Sequence, residues 1–119
     1  MKVAVIGSRA MTVSNSNLAG YLPPETTEIV SGGAKGVDTS AKEYANANGI
    51  KLTEFLPDYA RFGRGAAPIK RNHQIVEYSD FVLAFWDGQS KGTKSVIDHC
   101  RKLGKPGRII LSDGTIEPI

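Results

Sequence analysis

The feature that most constrains this chain is an alternation of short apolar, β-branched runs with stretches of helix formers, most of the runs stopped by glycine or a polar turn. Lys2 to Ile6 is the first such run and ends at Gly7, which reads as a buried strand. Ser14 to Leu22 reads as a short helix opened by Ser14 or Asn15 and closed by Pro23-Pro24. Thr26 to Val30 is a second strand halted by Gly32 and Gly33, and Val37 to Asn48 a helix stopped at Gly49. Lys51 to Phe55 makes a third strand, ended by Pro57. Asp58 to Ala67 contains Gly63, Gly65 and two arginines without a clear period, and is expected to be a long loop. Ile69 to Tyr78 reads as a helix with Pro68 in its first turn. Asp80 to Trp86 is the most apolar run and the expected central strand, followed by a helix from Thr93 to Leu103 and a last strand from Arg108 to Leu111.

Strands that alternate with helices pair in parallel through right-handed crossovers, with helices on both faces. The expected architecture is therefore α/β: one Rossmann-like, three-layer α/β/α domain over residues 1–119, with a mainly parallel sheet of about five strands. At 119 residues, 40% hydrophobic and 23% charged, the chain can bury a core without a disulfide or a metal. No apolar run approaches a membrane span, and the Lys2–Ile6 run is too short for a signal peptide, so a cytoplasmic location is expected. The lone Cys100 fits a reducing compartment. Its neighbour His99 cannot face it from the adjacent helix position, so Cys100 reads as half-buried and structural. The net charge of +3 offers modest help in attracting an anion.

In such a sheet, ligands bind outside the carboxyl ends of the strands, near a topological switch point. Three of those ends carry polar, glycine-rich loops: Gly7-Ser8-Arg9, Ser31-Gly32-Gly33-Ala34-Lys35-Gly36-Val37-Asp38, and Asp87-Gly88-Gln89-Ser90-Lys91-Gly92-Thr93. Glycine lets backbone approach a ligand, and a helix that starts just after it aims free N–H groups and a positive dipole end at an anion. A phosphate is the natural occupant. Glycines also serve plain tight turns, but three such loops at strand ends favour a ligand. The expected contacts are Gly7, Ser8, Arg9, Ser31, Gly32, Gly33, Gly36, Asp38, Asp87, Gly88, Ser90, Gly92 and Thr93. None of the loops matches the P-loop pattern or a clean G-x-G-x-x-G, which disfavours a P-loop NTPase or a standard dinucleotide dehydrogenase.

Arg71 and Asn72 stand near the start of a helix, where an arginine can grip phosphate or carboxylate with two prongs. Asp38 reads equally as a first-turn acid or as a partner for a ribose hydroxyl. Trp86 is core or a pocket wall, and His73 and His99 have no neighbours at metal-ligand spacing, so no metal and no resident cofactor is expected.

Ser31 to Asp38, Ala66 to Asn72 and Phe85 to Thr93 together resemble the SLOG superfamily, which takes in DprA/Smf DNA-processing proteins and the LOG phosphoribohydrolases. The resemblance runs from about Val3 to Ile110 and is nearest to the small single-domain bacterial branch related to YspA and YpsA. It implies a nucleotide pocket built on these loops. In LOG enzymes a Gly-Gly-x-Gly-Thr loop holds phosphate, and Gly88 to Thr93 is the matching segment, with a looser start. The LOG catalytic arginine precedes an aspartate by the spacing that separates Arg71 from Asp80, which implies Arg71 as its counterpart. The LOG catalytic glutamate corresponds to Val96, with Asp98 the nearest acid, so hydrolysis lacks its expected acid. The first functional reading is binding or sensing of a nucleoside monophosphate, ADP-ribose or NAD-like ligand. The second is a LOG-like N-glycosidic hydrolase drawing an acid from Asp38, Asp87 or Asp98, and the third is DprA-like binding of single-stranded DNA. A homodimer is expected from the resemblance, and no membrane partner.

Overall fold

A computed structural model describes the whole chain, Met1 to Ile119. In chain order the elements are β1 (Lys2–Gly7), α1 (Asn15–Tyr21), β2 (Glu28–Ser31), α2 (Val37–Asn48), β3 (Lys51–Glu54), α3 (Tyr59–Tyr78), β4 (Phe81–Trp86), α4 (Lys91–Leu103), β5 (Gly107–Leu111) and β6 (Ile116–Pro118). Each of the five expected strands forms, within two residues of its expected bounds.

Strand polarity follows from side-chain alternation. In β1, Val3 and Val5 point into a core shared with Leu18, Val37, Ala41 and Ala45 of α1 and α2. Ala4 and Ile6 point the other way, into a core shared with Ile75, Val76, Val96, Ile97 and Cys100 of α3 and α4. Residues at period two thus feed opposite faces, and both faces must be covered. The result is a three-layer α/β/α sandwich. No helix is long and apolar enough to cross a membrane.

The sheet has the order β3-β2-β1-β4-β5-β6. The first five strands run parallel, with β1 paired to both β2 and β4, and β6 returns antiparallel to β5. From β1 the chain winds outward to β3 and then crosses back to β4 on the other side of β1. That reversal makes the carboxyl ends of β1 and β4 the switch point, where adjacent loops part and leave a crevice.

Two expectations are corrected. The sheet has six strands: β6 is three exposed residues at the edge, set by the turn at Asp113-Gly114. The segment from Asp58 to Ala67 is helical, apart from its first residue and a break at Gly63. Asp58 caps α3, its Oδ1 accepting from the Arg61 amide at 3.1 Å. At Gly63 (φ 77°, ψ 175°) the chain takes a conformation open in practice only to glycine, and two helical segments meet at an angle there. Pro68 lies about one turn past this break, where its missing N–H costs at most one backbone bond.

Candidate functional site

A cavity of about 450 Å³ opens at the switch point, a size that suits a nucleotide-sized ligand. Of the residues expected to contact a ligand, Gly7, Ser8, Arg9, Gly32, Asp38, Arg71, Asn72, Asp87, Ser90, Gly92 and Thr93 line it. Ser31, Gly33, Gly36 and Gly88 do not. Ile6, Ala10, Ala34, Pro68, Ile75 and Val96 also line it; sequence reasoning did not single them out as contacts, because small and apolar wall residues look like ordinary core.

The β1 end is shaped by close packing. A Cβ on Gly7 would lie 2.7 Å from Val37 Cγ2 and 2.9 Å from both Cβ and the carbonyl oxygen of Phe85. Glycine lets α2 seat its first residue where β1 and β4 part. The Ser8 amide then donates to the Phe85 carbonyl at 3.0 Å, and the Asp87 amide donates to Ser8 Oγ at 3.4 Å, so the two loops are tied together. Gly36, at φ 75°, lies beneath the first loop; a Cβ there would meet the carbonyl oxygens of Arg9 and Met11 at 2.6 Å.

On the β2 side, Asp38 sits in the first turn of α2 and is buried. Its Oδ2 accepts from the Ala34 amide at 3.1 Å, so this carboxylate already occupies the positive end of its helix. Burial raises its pKa, and the Ala34 amide and the Arg71 charge hold the rise in check. An added phosphate at this end would meet a fixed negative charge.

Arg71 crosses from α3 to the β2 loop. Its Nη1 donates to the Gly32 carbonyl at 2.7 Å and more weakly to that of Phe55 at 3.4 Å, while Nε donates to Asn72 Oδ1 at 2.9 Å. Burial lowers its pKa and Asp38 opposes that, yet a guanidinium keeps its proton throughout the working range. Much of its hydrogen-bonding capacity is spent on the protein, so its first duty is to hold the β2 loop against α3. Nη2 is left without a protein partner.

The β4 end differs. Asp87 Oδ1 accepts from the amides of Gln89 at 2.9 Å and Ser90 at 2.8 Å, bonds that hold its pKa below the usual carboxylate range. Trp86 Nε1 donates to the Ser90 carbonyl at 3.0 Å and is a strut for the loop, with no place on the cavity wall. These contacts fix the start of α4 without capping it: no side chain accepts from its first turn. The amides of Lys91, Gly92 and Thr93 have no acceptor in the chain.

Val96 is buried in the cavity wall, and Asp98 lies elsewhere, exposed and paired with Lys94 at 3.2 Å. Asp98 is thus no candidate acid for this cavity, because two residues along a helix turn a side chain to another face. Cys100 is fully buried, deeper than expected, and burial pushes its thiol up to about 11. His73 and His99 stack with ring centroids 4.0 Å apart, a contact between α3 and α4 that no local sequence signal announces.

Residues 18–62 match the family model of the YspA, cpYpsA-related SLOG family. That match, over less than half of the chain, supports SLOG membership. The matched segment runs from α1 into the first turn of α3 and includes the whole β2 loop with Gly32, Gly36 and Asp38. No curated protein and no solved structure matches the chain. SLOG membership points broadly to a nucleotide-related function.

Proposed function

We propose that this SLOG domain binds a nucleotide or nucleotide-derived ligand at the β1–β4 switch point, with a phosphate on the amino-terminal end of α4. The observation that carries the reading is the trio of unpartnered amides at Lys91, Gly92 and Thr93, at the edge of a cavity large enough for the ligand. Unsatisfied N–H groups and the helix dipole together favour an anion there. Ser90 and Thr93 hydroxyls flank the position and can donate to phosphate oxygens. Asp38, already charged and hydrogen-bonded at the far side, suits sugar hydroxyls, which donate to carboxylates. Arg71 keeps the wall between the two ends in place and offers its free Nη2 to the ligand.

Titration calorimetry of the folded chain with AMP, ADP-ribose and NAD tests the proposal. Binding weakened by Thr93→Asp, which puts a carboxylate into the anion position, is the expected result. No heat from any of these ligands would count decisively against it.

A hydrolytic reading draws support from one observation: Asp38 is a buried carboxyl group of raised pKa on the cavity wall, close enough to Arg71 to feel its charge. Release of free base from nucleoside monophosphates, abolished by Asp38→Asn, would establish it. The buried Val96, in place of an acid, favours binding without cleavage.

A further inference from the structure

The cavity continues outward. A second hollow, of about 570 Å³, shares Arg9 and Pro68 with it and adds Tyr59 and Arg64. Arg64 and Pro68 lie one turn apart on the second segment of α3, and the break at Gly63 separates them from the first segment, whose Tyr59 completes the annex at the mouth. Tyr59 is half exposed and presents a large ring there.

The charge distribution says what the annex would hold. Between Asp58 and Asn72 the chain carries Arg61, Arg64, Lys70 and Arg71 against the single acid Asp58. That excess equals the net charge of +3 of the whole chain, so the remainder is neutral and the positive potential is concentrated beside the cavity mouth. Arg61 and Lys70 lie over the Phe62 ring, at 5.0 and 5.9 Å from its centroid, and Arg71 is bonded to Gly32 and Asn72. Arg9 and Arg64 differ: neither side chain makes a hydrogen bond or an ion pair. Asp38 faces Arg71 and favours its charge, while Arg9 stands near enough to disfavour it, so Arg9 and Arg64 are the cations at the mouth with no acid paired to them.

One phosphate on α4 leaves those two arginines unmatched. We infer that the ligand carries a second phosphate, received by Arg9 and Arg64 in the annex, and that the site is built for a nucleoside diphosphate or a diphosphate-bridged nucleotide. This rests on the phosphate position proposed above and adds the class of ligand. Tyr59 supplies a face for a sugar or base beyond the second phosphate. Arginine suits the role, since its planar fork pairs with two phosphate oxygens at once.

Calorimetry of the full chain with AMP, ADP and ADP-ribose at one fixed ionic strength tests this. ADP and ADP-ribose should bind about tenfold tighter than AMP, or better. Arg64→Ala should shrink that preference to about twofold and leave AMP affinity unchanged, while Arg64→Lys keeps part of it. Arg64 is exposed, so the variants should melt like the parent, which a thermal scan checks. AMP binding with no gain for the diphosphates would overturn the second-phosphate subsite and leave the α4 site standing. A diphosphate preference indifferent to Arg64→Ala would overturn the assignment to the annex. No binding of any nucleotide would overturn the α4 site and this inference together. Single-stranded oligonucleotide held at physiological salt, with no diphosphate preference, would also refute it in favour of an extended polyanion.

Discussion

Gly32→Ala is the most informative substitution in the site, because one methyl group tests whether Arg71 is a structural clasp. The φ of Gly32 lies outside the left-handed region, so alanine fits its backbone and only packing is at issue. The new Cβ would lie 2.6 Å from Arg71 Nη1, 2.9 Å from Cζ and 3.1 Å from Asp38 Oδ2. The guanidinium must move, and its bond of 2.7 Å to the Gly32 carbonyl breaks. A hydrogen bond from a charged donor contributes about 1.5–3 kcal/mol. Water recovers part of that for a half-buried arginine, so the expected loss is about 2 kcal/mol. For a domain of this size, that lowers Tm by roughly 8 °C.

The assay is thermal and urea unfolding followed by circular dichroism, run as a double-mutant cycle with Arg71→Ala. Once the guanidinium is gone, the one close neighbour left is Asp38 Oδ2 at 3.1 Å, which need shift only slightly, and the same methyl should cost less than about 0.5 kcal/mol. Gly20→Ala is the control: nothing lies within 4 Å of its added Cβ, and it should gain about 0.5–1 kcal/mol. If Gly32→Ala costs the same with and without Arg71, the clasp does not exist and the reasoning fails.

Three further outcomes follow from burial. Cys100, with its thiol pushed up to about 11, should resist alkylation at mildly alkaline pH until urea unfolds the chain; fast labelling of the native protein would contradict its burial. Burial and the neighbouring His73 hold His99 below its ordinary value of 6.5, with Glu77 opposing, so the folded state binds this proton more weakly than the unfolded one. Stability should be full above pH 6.5 and fall as acid protonates His99 in the window beneath, and His99→Gln should flatten that fall in a series of melting curves. Asp38 has the opposite sign: its folded pKa is raised above 3.8, so stability is lost as pH rises through that window. Asp38→Asn should therefore gain stability relative to the parent at neutral pH, and an equal difference at pH 3 and pH 7 would refute the assignment.

The strand pattern was legible because β1, β2 and β4 are largely buried and β5 buries Ile109 and Ile110, which leaves each an apolar core; β3, at the edge, is partly exposed and is marked mainly by its bounds. Elements with no burial left no such trace. β6 is exposed throughout, and only Asp113-Gly114, a hairpin dipeptide, could have announced it. The first segment of α3 is hidden by its glycines, which suggest a loop in sequence and mark a break between two helices in the structure; Asp58, three residues before Arg61, is the cap that signals the helix. The site residues were found through loop position, since strand ends are local features. What each one does depended on partners far along the chain, such as Gly32 with Arg71 or His73 with His99, and single-sequence patterns carry no such pairing.

The glycines that seemed alike in sequence separate once each is asked what a side chain would meet. Gly7 and Gly32 are demanded by contacts with Phe85, Val37 and Arg71. Gly33, Gly36 and Gly88 adopt positive φ, so the backbone alone explains them. Gly92 has neither reason: its φ is helical in sign and a Cβ there meets nothing within 4 Å. Glycine inside a helix costs about 0.5–1 kcal/mol relative to alanine, so the fold itself gains nothing from it. What the missing side chain does provide is bare backbone on the cavity wall, beside amides that have no acceptor. Of the six loop glycines, this is the one whose presence calls for something outside the chain, and it stands where the phosphate is proposed.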